Sequence, residues 1–342
     1  MFLKNKINNK INISILGAGS WGGTLAWMLS KKNYNVFIWT PSNEEYQHLT
    51  KTRTLIRPKS LKLEKNVFIT KDLNFVAKNS HIIIIAVPTN AFKSIAIKLK
   101  KSKPNKNIIF VSATKGVTKK NNQRPSLIMK KYLPSNPHAV LSGPNIALDV
   151  ISQSPIISII ATKNEKAGFY LQKLIASDYF RIYLNKDITG VELAGALKNV
   201  IAIAAGMSDG FGFNISTKAA LISRGLIEIG KIVIREGGNP KTLLGAAGIG
   251  DLIATCCSEN SRNYKVGYQL AKGKELKQIL TNLGQVAEGT ETVKSMVKLA
   301  RKHKVDVPIA NAVYEILFKN KKPIQALKKL LDRPMPKYEL DL

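Results

Sequence analysis

The spacing of apolar and polar positions divides the chain into two parts with different periods. In the first, apolar residues arrive in short blocks at 11–16 (INISIL), 35–39 (NVFIW), 66–70, 81–87 (HIIIIAV), 107–113, 138–142, 156–161 and 180–184. Such blocks, rich in β-branched side chains, predict strands, and a run as uniformly apolar as HIIIIAV predicts a strand buried on both faces of a parallel sheet. Residues 73–78, 89–101 and 123–133 instead space their apolar positions for helices, and the polar segment after Trp39 reads as a loop. Strands alternating with helices imply a doubly wound α/β sheet.

Near residue 187 the period changes. From there the apolar spacing is helical: 189–207, 216–236, 262–271, 288–302, 308–318 and a short last helix at 324–331, with Pro240, Pro308 and Pro323 near helix starts. The expected architecture is α/β, with a Rossmann-type doubly wound sheet over residues 1–187. An all-α C-terminal domain over residues 188–342 is expected to follow.

The first block runs straight into Gly17-Ala18-Gly19-Ser20-Trp21-Gly22, a G-x-G-x-x-G pattern followed by an apolar helical stretch ending near Leu29. A strand, a tight turn and a helix start, with a second strand at 35–39, make the βαβ unit that gives this pattern meaning. Gly17 permits the turn, Gly19 admits a pyrophosphate to the backbone, and Gly22 lets the helix lie close, with the phosphates at the helix N-terminus. The alternative is a bland glycine-rich turn.

Composition narrows the function classes. The net charge is +31, from 53 Lys and Arg against 22 Asp and Glu. A nucleic-acid or anionic-membrane partner is one reading of that excess. The lysines, however, are scattered over many short polar runs such as 98–106, 119–124, 301–304 and 319–322, which reads as solvated faces with no nucleic-acid role. A basic surface would still steer a small anion inward. Residues 188–207 are the most apolar long stretch, but Glu192, Lys198 and Asn199 interrupt them and argue for a buried helix and no membrane span. The basic N-terminus MFLKNKINNK precedes residues that the nucleotide site needs, so it is not expected to be a signal peptide. Cys256 and Cys257 are sequence neighbours, and the four histidines are scattered, so a reduced, cytoplasmic, metal-free protein is expected.

Ligands of open α/β sheets sit beyond the carboxyl ends of strands. The segments there are Thr40-Pro41-Ser42, Pro88-Thr89-Asn90, Thr114-Lys115-Gly116 and Gly143-Pro144-Asn145, of which Lys115 is the one fixed cation. In the helical part, Lys198 has Ala194, Gly195, Ile201 and Ala202 at three and four positions, a mostly small face that another group can approach. A general acid and base for a carbonyl is one role for it; a buried ion pair with Glu192 or Asp251 is the other. Ser261-Arg262-Asn263 opens a helix, where it serves as an anion clamp or a plain helix cap.

Taken together, GAGSWGG at 17–23, ATKG at 113–116, LSGPN at 141–145, VELAGALKNVIAIAAGMSDG at 191–210, GIGDLIATC at 248–256, SRN at 261–263 and GQVAEG at 284–289 resemble the bacterial-type NAD(P)-dependent sn-glycerol-3-phosphate dehydrogenases over almost the whole chain. The resemblance implies reversible hydride transfer between NAD(P)H and dihydroxyacetone phosphate, giving glycerol 3-phosphate for phospholipid synthesis. It implies Lys198 as the catalytic acid and base, and Lys115, Gly143, Asn145, Lys198, Asp251, Ser261, Arg262 and Asn263 as substrate contacts. For the cofactor it implies the glycine turn with Ser20 and Trp21, then Lys115, Ala147, Arg262, Val286 and Glu288. Asp251 would orient Lys198 or accept a substrate hydroxyl. Glu288 would accept from the carboxamide or a ribose, or simply sit as an acid at a helix N-terminus. Long apolar helices leave room for a homodimer.

The chain departs from that pattern at the tip of the second strand. No acid follows Trp39 until Glu44, so exclusion of NADP is not expected. The basic residue often found for the 2′-phosphate is replaced by Pro41, for which Lys51 or Arg53 would substitute. Asn145 stands where Ser or Thr is commoner. Rival readings are a β-hydroxyacid or ketopantoate-type reductase, and a non-catalytic dinucleotide-binding regulator.

Overall fold

The computed structural model describes residues 10–58, 61–118, 121–284 and 286–334. Residues 1–9, Lys119 and Lys120 of the lysine runs, Gln285 of GQVAEG and residues 335–342 of the second domain lie outside them.

Eight strands form one sheet: β1 Asn12–Leu16, β2 Asn35–Trp39, β3 Val67–Thr70, β4 Ile82–Ile85, β5 Ile109–Ser112, β6 His138–Ser142, β7 Ile156–Ala161 and β8 Phe180–Asn185. Their spatial order is β3-β2-β1-β4-β5-β6-β7-β8. The first six run parallel; β7 pairs with β6 in the opposite sense and β8 follows β7. Helices α1 Ser20–Ser30, α2 Asn43–Thr52, α3 Leu73–Asn79, α4 Thr89–Lys101, α5 Pro125–Tyr132, α6 Ala147–Ile151 and α7 Glu165–Ile175 connect the strands. The central strands are mostly apolar, β4 at every position, because both faces are covered: Ile13, Ile15, Ile82 and Ile84 face α1, while Leu16, Ile83, Ile85 and Phe110 face α4 and α5. The chain moves outward from β1 to β3, then returns to β4 on the other side of β1. That reversal opens a crevice at the carboxyl ends of β1 and β4.

The polar segment after Trp39 is a helix, α2, where the sequence reads as a loop. Leu49 is its only fully buried side chain, so the apolar stripe is too thin to show a period. Ser42 caps it by accepting from the amide of Glu45. The reversed β6–β7 pairing is likewise absent from the pattern.

After β8 the chain is helical: α8 Ile188–Gly210, α9 Ile215–Arg235, α10 Asp251–Cys257, α11 Arg262–Ala271, α12 Leu276–Leu283, α13 Glu288–His303, α14 Pro308–Phe318 and α15 Pro323–Leu331. Asp187 starts α8, accepting from the Gly190 amide at 2.9 Å. Its other oxygen accepts from Asn239 N and Thr242 Oγ1. Helix α8 has the length and mean hydropathy (1.5) of a membrane span, but 89% of that window is buried within the protein. The reason is geometric: α9, α10, α11, α13 and α14 all pack around it. The lysine and asparagine it carries therefore point into the protein.

Glu228 of α9, 4% exposed, accepts from the amides of Ile309 at 2.6 Å and Ala310 at 3.0 Å and so holds the N-terminus of α14. Burial pushes its carboxyl up to about 8, against the two amide bonds. A folded-state value above the unfolded one means stability that is complete at acid pH and declines as pH rises from about 4.5 through about 8. Urea titrations from pH 5 to 8 should show that decline in the wild type and less of it in Glu228→Gln. Glu228→Ala, which strands two buried amides, should cost about 2–4 kcal/mol at pH 6.

Candidate active site

The crevice at the reversal is built by the glycine turn. Gly17, at φ +109°, follows β1 directly, and a β-carbon there would lie 2.6 Å from the carbonyl oxygen of Ala86 after β4. A β-carbon at Gly22 would lie 2.0 Å from the carbonyl oxygen of Gly17, so α1 can start against the turn only with glycine there. At Gly19, by contrast, nothing among the described residues stands within 4 Å of such a β-carbon, and the side is open. No side chain caps α1, which leaves the first-turn amides from Ser20 onward facing that opening. The buried indole nitrogen of Trp21 also lacks a partner among the described residues. A positive helix end, an open backbone and no competing acceptor fit a pyrophosphate.

At the carboxyl ends of β5 and β6 the chain presents Lys115 and Gly143. From the helical side comes Asp251, the first residue of α10, delivered by the glycine-rich wide turn 245–250, in which the Gly250 amide reaches back to the Gly245 carbonyl at 3.3 Å. Asp251 is 2% exposed and bridges two ammonium groups: Oδ1 lies 2.8 Å from Lys198 Nζ and Oδ2 2.8 Å from Lys115 Nζ. Lys115 also donates to the Gly143 carbonyl at 2.6 Å. Lys198 also donates to Thr255 Oγ1, and Thr255 in turn donates to the Asp251 carbonyl at 2.6 Å. One carboxylate thus positions a cation from each half of the chain. Burial is the largest influence on Lys115 and lowers it to about 8; the nearby carboxylate opposes this and the Lys198 ammonium adds to it. The lysine side chains differ in access, at 21% exposed for Lys115 and 7% for Lys198.

The remaining residues singled out by the sequence surround this cluster. Asn145 donates to Ser158 Oγ at 3.0 Å, and among the described residues its buried Oδ1 has no partner, as is true of Ser142 Oγ. Ser261 caps α11, accepting from the Tyr264 amide. Asn263 donates to Asn199 Oδ1 and accepts from the Gly289 amide, both at 2.9 Å, which ties the starts of α11 and α13 to α8 beside Lys198. The Arg262 guanidinium lies in electrostatic range of Glu288 and Arg57. Glu288 crosses between the halves, accepting from the amide and hydroxyl of Thr89 at 3.3 and 3.2 Å. A β-carbon on Gly116 would stand 2.1 Å from that hydroxyl and 3.3 Å from Glu288 Oε2, so the Lys115 loop and the α13 start meet here. Ala147 opens α6, which packs on α1, and Val286 is half exposed just before α13.

Glu192, weighed above as a partner for Lys198, turns the other way. It accepts from Arg124 Nη1 at 2.8 Å and from the amide and hydroxyl of Ser126, clamping the start of α5 to α8. Burial raises its carboxyl and Arg124 opposes the rise. Arg53 is also committed elsewhere, its guanidinium donating to the carbonyls of Glu64 and Val67. Among the described residues, no three His, Cys, Asp or Glu side chains gather as a metal site. Buried Cys256 is pushed up to about 12 by desolvation, so its thiol is inert beside the lysines. Thr255 escaped the sequence reading, while Thr89 stood there only within a strand-end segment and Asn199 only as a polar break in an apolar helix. Thr255 carried one signal, its place four residues after Asp251 on the same helix face.

Known proteins resemble this chain in sequence and fold. Residues 12–168 match the family described as NAD-dependent glycerol-3-phosphate dehydrogenase N-terminus, and residues 187–328 the corresponding C-terminus. The glycerol-3-phosphate dehydrogenase [NAD(P)+] of Thermoanaerobacter sp. is 42% identical over 330 residues, covering 96% of this chain and 99% of its own length. That of Leptospira biflexa is 40% identical over 335 residues, covering 95% and 98%. The crystal structure of glycerol-3-phosphate dehydrogenase from Coxiella burnetii superposes with a TM-score of 0.91 at 34% identity, covering 95% of this chain and 99% of that one.

Proposed function

The chain belongs to the NAD-dependent glycerol-3-phosphate dehydrogenase family, and from that premise we propose that it transfers a hydride between NAD(P)H and dihydroxyacetone phosphate, giving sn-glycerol 3-phosphate for phospholipid synthesis. The observation that carries this reading is the Lys115–Asp251–Lys198 cluster, where one buried carboxylate aims an ammonium from each half at the same crevice. The nicotinamide, when bound, supplies the hydride.

The chain's own residues do the rest. The first-turn amides of α1 bind the pyrophosphate, with Ala147, Val286, Glu288 and Arg262 as further cofactor contacts. Lys198, oriented by Asp251 and Thr255, gives a proton to the ketone oxygen as charge develops there and takes it back in the reverse direction. Lys115, Gly143 and Asn145 hold the oxygen-bearing end of the three-carbon substrate. Arg262, with Ser261 and Asn263 at the positive end of α11, meets its phosphate. The nucleotide half spans residues 1–187 and the substrate half 188–342. A cytoplasmic homodimer is the form we expect, and the free thiols Cys256 and Cys257 accord with a reducing compartment.

The test is loss of NAD(P)H absorbance on adding dihydroxyacetone phosphate. Turnover should follow its addition and be absent with ketopantoate or 3-oxo acids. Turnover with those acids alone would favour the rival reductase reading, and salt-sensitive DNA binding without turnover would favour the regulator.

A further inference from the structure

We propose that Lys71 reads the 2′ position of the cofactor's adenosine ribose and lets this chain accept NADPH although Pro41 has taken the place of a cation at the strand tip. The inference rests on the dinucleotide-dependent reading above and sharpens it.

In an open α/β sheet the ribose lies beyond the end of the second strand, where an acid accepts from a 2′-hydroxyl or a cation meets a 2′-phosphate. Here β2 ends at Trp39 and β3 at Thr70, paired in register, so Lys71 emerges beside that tip. Its carbonyl accepts from Trp39 Nε1 at 3.0 Å, which fixes the backbone. Its ammonium leans across to the first turn of α2, donating to Asn43 Oδ1 and standing 5.9 Å from the Tyr46 ring centroid.

The other cations of this region are excluded by geometry. Pro41 brings no donor. Lys51 lies eight residues along α2 from Asn43, about 12 Å farther down the axis at 1.5 Å per residue. Arg53 is held by the carbonyls of Glu64 and Val67. Lys71 is exposed, and its acceptor is a neutral side-chain amide that a phosphate outcompetes, because with an anionic acceptor both partners of the bond are charged. The positive end of α2 adds to the attraction. Three acidic side chains oppose it, of which Asp72, next in sequence, is turned to cap α3, accepting from the amides of Asn74 and Phe75. Glu45 is held by the hydroxyl of Thr40, whose side chain is fully buried, and Glu44 is solvated on the first turn.

Calorimetric titration of the full-length protein with NADPH and with NADH decides the matter. In Lys71→Gln the Kd for NADPH should rise about tenfold while that for NADH stays within about twofold. Lys71→Arg should keep most of the NADPH affinity, and the NADPH advantage should shrink with added salt. Equal weakening of both cofactors would show a role confined to the Trp39 and Asn43 contacts and overturn the inference. So would an unchanged NADPH Kd, in particular if Glu45→Gln alone then tightened NADPH. Failure of the wild type to bind either dinucleotide would overturn the dehydrogenase reading as well.

Discussion

Lys198→Ala should lower kcat for dihydroxyacetone phosphate reduction by about a thousandfold or more while leaving the Kd for NADH within about twofold, since a positioned general acid contributes on the order of 10²–10⁴ and its loss here also removes a cation from the site. The fold should survive. Asp251 keeps its second ammonium partner, Lys115 at 2.8 Å, so no buried charge is left alone, and Thr255 keeps its bond to the Asp251 carbonyl. Steady-state rates with denaturation curves separate the two effects. Lys198→Arg should be nearly as inactive, because a guanidinium does not yield its proton at these pH values. Activity within tenfold of wild type in either variant would remove Lys198 from the proton-transfer role.

Asp251→Asn should harm both stability and rate, because it strands two ammonium groups in a site where the carboxylate is 2% exposed. Breaking a buried ion pair in this one-sided way costs about 3–5 kcal/mol, readable as a shift in the urea midpoint. The rate should fall about a hundredfold through misplacement of Lys198 and Lys115. A pH signature distinguishes positioning from a purely structural loss. Desolvation already lowers Lys115 to about 8, and Asp251 is what resists the lowering. Without it the ammonium is lost at lower pH, so the alkaline limb of kcat/KM should move to more acidic values. A variant that lost stability but kept the wild-type limb would assign Asp251 to packing alone.

The sheet was legible because its physics is local. An aliphatic block such as 81–87 is buried on both faces wherever it sits, and the Gly22–Gly17 contact of the glycine turn lies within a single βαβ unit, although Gly17 also meets Ala86 after β4. The direction of β7 was not legible, since two-sided burial leaves no mark of which way a strand runs. Helix α2 was missed for a related reason: with Leu49 alone fully buried, its sequence is that of a solvated segment. At the site, Lys115, Lys198, Asp251 and the SRN segment stood out by residue type and position. What joins them did not. The Lys115–Asp251 contact spans 136 residues, and Glu288–Thr89 spans 199, and pairings at such separations follow from how the halves pack. The sequence left Glu192 and Asp251 equally available to Lys198; the packing of α5 on α8 gave Glu192 to Arg124 instead.

The central claim is that one carboxylate presents two lysines, one from each half, to a single three-carbon phosphate. A crystal structure of the protein with NADH and dihydroxyacetone phosphate tests it most directly. The account predicts the ketone oxygen within hydrogen-bond distance of Lys198 Nζ, with the phosphate at the start of α11 beside Arg262. A substrate bound with the Lys198 ammonium turned away from it, or seated outside the crevice between the glycine turn and α10, would contradict the account.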